Sequence, residues 1–146
     1  AEDATRSDQE HVLRVFELAD SLGVKTLDIA DTTGYTTPEE FGKMIDNIYH
    51  SLNHHQKIGI HCHNDLGLAT ANTLSGIVEG ANHIQVTING IGERAGNTAL
   101  EEVVMTLETR RDYYRCKTNI KIDQIEETSR LVYRILGRSP SYEKQL

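Results

Sequence analysis

The chain has 146 residues, enough for one domain with a modest core. Hydrophobic residues make up 38% and charged residues 25%, a globular balance, and the formal net charge of -7 argues against binding nucleic acid or an anionic membrane, since both want a basic face. Two cysteines, Cys62 and Cys116, without a CxxC pair argue against a disulfide scaffold and for a reducing compartment, and no apolar run reaches the about 18 residues of a membrane span.

No signal-peptide pattern opens the chain, and Ala1-Glu2-Asp3-Ala4 reads as a start inside a domain. Ser7-Asp8-Gln9-Glu10 predicts a capping box with Ser7 at N-cap. Val12, Leu13, Val15, Phe16, Leu18 and Ala19 then follow helical spacing, with Gly23 as the stop. Thr26 to Ala30 predicts a short strand that ends at Asp31-Thr32-Thr33-Gly34-Tyr35. Thr37-Pro38-Glu39-Glu40 starts a second helix, with Pro38 at N1, Glu40 at the capping-box position and an apolar stripe of Phe41, Met44, Ile45 and Ile48 to about Leu52. A polar turn carrying His54-His55 follows, and that pair is expected on the surface, away from the presumed site. Lys57 to Cys62 is the next strand, Leu66 to Glu79 a helix closed by Gly80, and Asn82 to Ile88 a third strand. Helices are expected from Thr98 to about Arg110 and from Asp123 to Leu136, the last ended by Gly137 and Pro140.

Strands and helices alternate with short loops, which predicts a parallel sheet with right-handed crossovers. A βα barrel and a doubly wound sheet both fit. The polar motifs favour the barrel, because Asp31-Thr32, His61-His63-Asp65 and Asn89 to Asn97 all fall just after a strand, where barrel sites collect. A closed barrel needs eight strands, whereas three are visible here, or four if residues 1–6 follow a missing one. The expected fold is therefore α/β, the C-terminal part of a TIM barrel with three to four βα units and a trailing helix. Residues 1–115 would form the barrel part, and residues 116–146 a linker and the start of a C-terminal subdomain.

On a strand, residues two apart share a face, so His61 and His63 can aim two imidazoles at one point. Two imidazoles with oxygen ligands from elsewhere suit Zn, Mn, Co or Mg. Asp65 is either a further ligand or, the favoured reading, an acceptor that orients a histidine. Cys62 points to the other face and is expected as a packed thiol. Three glycines with Glu93, Arg94 and Asn97 suggest a working loop, and Asn97 can cap the next helix or offer its amide oxygen to a metal. Thr32 either belongs to a simple turn or donates a hydrogen bond to an anionic substrate.

His61-Cys62-His63-Asn64-Asp65-Leu66-Gly67-Leu68-Ala69, followed by Asn89-Gly90-Ile91-Gly92-Glu93-Arg94-Ala95-Gly96-Asn97, resembles the 2-isopropylmalate synthase family. Glu2 to Arg6, Asp31 to Tyr35 and Leu100 to Val104 match as well, so the resemblance covers essentially the whole chain. The wider group contains homocitrate synthase, citramalate synthase and hydroxymethylglutaryl-CoA lyase, all metal-dependent TIM barrels. The resemblance implies His61 and His63 as metal ligands, with Asn97 approaching the metal. It implies Thr32 at the 2-oxoacid carboxylate and Glu2 as an acidic group near the acetyl-CoA and metal-water region, the two expected catalytic residues. Asp65, Gly90, Gly92, Glu93 and Arg94 are expected at the substrate mouth.

The implied chemistry is a Claisen-type condensation. The metal polarises the ketone of 2-oxoisovalerate, a base removes a methyl proton from acetyl-CoA, the enolate attacks, and thioester hydrolysis releases 2-isopropylmalate and CoA. The family's metal-binding aspartate, its neighbouring arginine and its candidate base are not in this sequence. The chain alone is therefore expected to be inactive, and the full-length protein to be a homodimer, cytoplasmic or plastidial in a plant. Two other readings stand beside this one: a related synthase acting on a longer or shorter 2-oxoacid, and a non-catalytic half-barrel whose exposed sheet edges pair with another chain.

Overall fold

The computed structural model describes residues 1–52 and 57–139, so His54-His55 and Pro140 lie outside the described residues. Three parallel strands form one sheet in the order β1-β2-β3: β1 Thr26–Asp31, β2 Lys57–Cys62 and β3 His83–Gln85. The register pairs Ala30 with His61 and His61 with Gln85, so these three residues form one rung across the sheet. Ala1 extends this edge, since Ala30 N–H donates to the Ala1 carbonyl at 3.1 Å and the Ala1 amino group donates to the Asp28 carbonyl. Helix α1 (Gln9–Ser21) precedes β1, α2 (Pro38–Ser51) joins β1 to β2, and α3 (Ala69–Val78) joins β2 to β3. Then come α4 (Leu100–Thr109), the single turn α5 (Arg111–Tyr114) and α6 (Ile125–Ile135). Consecutive parallel strands joined by helices are an arc of a βα barrel, as the motif placement predicts. Among the described residues no helix is long and apolar enough to cross a membrane.

Alternation along the strands divides the residues between two faces. Leu27, Ile29 and Asp31 of β1 and Ile58, Ile60 and Cys62 of β2 are buried, and the hydrophobic ones join Phe41, Ile45 and Ile48 of α2 in the core. The opposite face, which lines the inside of the arc, carries Asp28, Ala30, Gly59, His61, His83 and Gln85. There the Gln85 side chain reaches across Gly59 to give Asp28 Oδ1 a 2.9 Å hydrogen bond, and a Cβ at residue 59 would lie 1.7 Å from that oxygen. A polar bridge therefore occupies the layer below the His61 rung.

Local signals set several boundaries. The capping box at Thr37 forms as expected: Glu40 N–H donates to Thr37 Oγ1, and Thr37 N–H donates to Glu40 Oε2 at 2.9 Å. The box expected at Ser7 does not form. The Ser7 hydroxyl is taken by the Asp3 carbonyl at 2.8 Å, and Asp8 caps α1 instead by accepting from His11 N–H at 2.7 Å. Helix α3 starts three residues later than expected because Asn64 to Gly67 makes a turn of its own, with Gly67 N–H donating to the Asn64 carbonyl. The Asn64 side chain then receives Ala69 N–H at 3.1 Å. β3 is shorter than the predicted run from Asn82 to Ile88. After Gln85 the chain leaves β2, and Thr87 exchanges hydrogen bonds with Thr98 and Leu100 instead. The trailing helix is a 3-10 turn, Ile122–Gln124, followed by α6.

Candidate metal centre

β2 ends in His61 and Cys62, and the chain continues extended to His63, which bridges Asn97 in antiparallel fashion. The His63 N–H donates to the Asp31 carbonyl at 3.3 Å, so β1 holds the histidine segment in place beyond the end of the ladder. Alternation sends Cys62 into the core, where it is 1% exposed, while His61 and His63 turn to the inner face. Burial pushes the Cys62 thiol up to about 12, with the nearby Asp31 carboxylate adding to the effect and a Thr73 hydrogen bond opposing it. The predicted packed thiol is what the structure contains.

The two rings meet edge to face, with His61 Nε2 and His63 Nε2 3.1 Å apart. The Asn97 amide nitrogen lies 3.1 Å from His61 Nε2. Side-chain atoms from β2, from the segment after it and from the glycine loop therefore converge. Two ligand atoms at right angles, each about 2.1 Å from a divalent ion, stand about 3.0 Å apart. The spacing thus fits a shared cation. The amide has nearly the same shape when turned over, so a half-turn of its end presents Oδ1 at the same place. Burial lowers the His63 pKa first, and the neighbouring His61 and the Arg94 charge lower it further, which favours the neutral imidazole a metal requires. Both Nδ1 atoms are buried with no hydrogen-bond partner among the described residues, so no donor at Nδ1 forces the proton of either ring onto Nε2. Among the described residues no three His, Cys, Asp or Glu side chains converge, so the set here is two imidazoles and one amide.

The glycine loop is built around Asn97. Gly90 lies at the end of a 3-10 turn (Ile88–Gly90), and its carbonyl accepts Asn97 N–H at 3.0 Å. Asn64 N–H donates to the Gly96 carbonyl at 2.9 Å, tying the loop to the segment after β2. Gly92 leaves room for the Asn97 side chain. Glu93 points outward, 80% exposed in its side chain, with Oε2 3.8 Å from Arg94 Nη1. Arg94 folds back over the β1 and β2 loops. Its Nε and Nη2 donate to the Asp65 carboxylate at 2.7 and 2.9 Å, and Nη2 also donates to the Thr32 carbonyl at 2.6 Å. Hydrogen bonding from that guanidinium holds the Asp65 carboxyl below the usual range, and the same pairing raises Arg94. Asp65 was expected to orient a histidine. Both its oxygens serve Arg94 instead, the physical reason being a bidentate charge-assisted pair with a fully ionised partner.

The Thr32 hydroxyl oxygen accepts Asp3 N–H at 2.7 Å, which leaves the hydroxyl hydrogen to donate elsewhere. Glu2 is exposed, one residue before that N–H, at the same end of the sheet as Thr32. Beneath this layer lies a hub the motifs did not reveal. Asp31 is fully buried and accepts from Thr5 Oγ1 (2.9 Å), Tyr35 N–H (3.1 Å), Thr36 Oγ1 (3.0 Å) and Asn72 Nδ2 (3.2 Å). A signal for it was present, because Asp31 falls on the buried phase of β1 with Leu27 and Ile29. Asn89, in the left-handed region with φ +61°, is a second such residue. Its side chain donates to the Ser129 carbonyl at 3.2 Å and accepts from the Ser129 hydroxyl, docking α6 onto the loop.

Known proteins resemble this chain over nearly all its length. A 2-isopropylmalate synthase from Pyrococcus furiosus is 50% identical over 139 residues, which is 94% of this chain and 28% of that protein. A 2-isopropylmalate synthase from Pelotomaculum thermopropionicum gives the same identity and the same coverage. The chain thus spans somewhat over a quarter of the length of these relatives. A solved hydroxymethylglutaryl-CoA lyase from Pseudomonas aeruginosa shares the fold, with a TM-score of 0.76 at 21% identity over 90% of this chain and 44% of the lyase. The HMGL-like family profile matches residues 1–132, and the chain belongs to that family.

Proposed function

We propose that the chain supplies the two-histidine part of the divalent-metal site of a 2-isopropylmalate synthase, which joins acetyl-CoA to 2-oxoisovalerate and releases 2-isopropylmalate and CoA. The observation that carries this reading is the convergence of His61 Nε2, His63 Nε2 and the Asn97 amide at 3.1 Å spacings. The 50% identity to the Pyrococcus furiosus synthase supports the choice of substrate. A bound Zn, Mn, Mg or Co ion supplies Lewis-acid polarisation of the 2-oxoacid ketone. His61 and His63 hold that ion as neutral imidazoles, and Asn97 offers a neutral oxygen, so this chain contributes no negative charge to the ligand set. Thr32 donates its hydroxyl hydrogen to the 2-oxoacid carboxylate, its oxygen being fixed by Asp3 N–H. Glu2 holds the water and thioester side of the mouth.

The resemblance assigns a further metal-binding aspartate, an arginine for the enolate and the base to residues outside this sequence. In this reading residues 1–115 belong to the catalytic barrel, residues 116–146 lead to a C-terminal subdomain, and the full-length enzyme is a cytoplasmic homodimer.

The test is a Co²⁺ titration of the chain followed by visible absorption. Wild type should develop the bands of a cobalt-imidazole site, and His61→Ala and His63→Ala should each abolish them. Addition of 2-oxoisovalerate should shift the bands, and Thr32→Val should weaken that response. Spectra unchanged by both histidine substitutions would overturn the reading.

A further inference from the structure

We infer that Arg94 and Asp65 are positioning residues: they form a clasp that fixes Thr32 and Asn97 relative to the two imidazoles. The inference rests on the metal-site reading above and replaces the expectation that this arginine binds substrate. Arg94 sits in the loop after β3, Asp65 in the loop after β2 and Thr32 in the loop after β1. One guanidinium therefore ties together three segments distant in sequence. Of its five N–H donors, the one on Nε and the two on Nη2 are spent on Asp65 and the Thr32 carbonyl. The remaining nitrogen faces Glu93.

A side chain so engaged has no free fork for a substrate carboxylate. It does have the rigidity to hold loops, because a bidentate pair fixes orientation as well as distance. Arg94 adopts φ +55°, and its side chain folds back over the neighbouring loops. Asn97 follows three residues later. The clasp also balances charge: Asp65 neutralises a guanidinium that would otherwise stand close to a divalent cation. Asn64 N–H on the Gly96 carbonyl and Asn97 N–H on the Gly90 carbonyl report whether the loops are held.

The experiment compares wild type, Arg94→Ala, Asp65→Asn, the double variant and Arg94→Lys by amide hydrogen exchange without metal, then by Co²⁺ absorption. Each single change should speed exchange at Asn64 and Asn97 by roughly tenfold and leave the β1–β2 ladder amides unaltered. The double variant should exchange no faster than Arg94→Ala, since the arginine change already removes the Asp65 pair together with the Thr32 contact. Co²⁺ affinity should fall about tenfold in Arg94→Ala with altered bands, as for other groups that hold metal ligands in place. Arg94→Lys, which keeps the charge but not the fork, should recover only part of each effect. Unchanged loop exchange in Arg94→Ala, or effects that add in the double variant, would overturn the clasp. If instead the histidine substitutions leave Co²⁺ spectra alone, the metal reading fails, and exchange still decides the clasp by itself.

Discussion

Gly92 and Asn97 compete for one volume: a Cβ built at Gly92 would lie 1.5 Å from Asn97 Oδ1. The loop needs hydrogen at that position because the amide must lie flat against it to reach His61. Gly92→Ala should therefore push the Asn97 side chain off the imidazoles while leaving the sheet intact. Co²⁺ or Zn²⁺ affinity, read by calorimetry, should fall roughly tenfold, with an unchanged far-ultraviolet spectrum. Equal affinity in wild type and Gly92→Ala would show that Asn97 does not take part.

Asp31 organises more hydrogen bonds than any of the expected site residues. Asp31→Ala would strand donors from Thr36 and Asn72 in a buried place. The expected cost is on the order of 3 kcal/mol in urea unfolding, since a lost charged acceptor leaves several buried donors unsatisfied. Asn72→Ala removes a donor but leaves Asp31 three partners, and should cost less.

Cys62 offers a chemical test of strand orientation. With the thiol pushed up to about 12 and 1% exposed, it should resist alkylation in the native protein. Cys116 is partly exposed and should be modified. Peptide mapping after native labelling should find Cys116 alone modified, and after labelling in denaturant both. Native labelling of Cys62 would mean that the histidine strand is turned the other way.

The capping box of α2 gives a pH dependence. Thr37 N–H and the Thr37 hydroxyl both donate to Glu40, and these hydrogen bonds lower its pKa in the folded protein. A depressed carboxyl stabilises the fold above its unfolded value, about 4.3, and loses that contribution as pH falls through the lower folded value. NMR titration should place the Glu40 midpoint below that of a free glutamate, and Thr37→Ala should move it upward.

Much of the site was readable along the chain because its parts obey short-range rules. The two-residue period of a strand puts His61 and His63 together and Cys62 apart, and a glycine-dense turn before a helix marks Asn97. The capping pattern at Thr37 works because Pro38 and Glu40 sit at fixed offsets from it. The Ser7 pattern failed since a carbonyl from a preceding turn competed for the hydroxyl, something no offset encodes. The partner of Asp65 is hidden from its neighbourhood in sequence for a related reason. Its sequence neighbours are histidines, but its partner Arg94 comes from 29 residues away. Asp31 and Asn72, 41 residues apart, meet only because α3 packs back on the sheet.

The bridge from Gln85 to Asp28 over Gly59 has a consequence for access. It occupies the inner face one rung below His61, so whatever meets the imidazoles comes from the side of the loops that follow the three strands. A side chain at residue 59 would displace Asp28 Oδ1 and undo this bridge, altering the floor beneath the imidazoles without touching the loops around them.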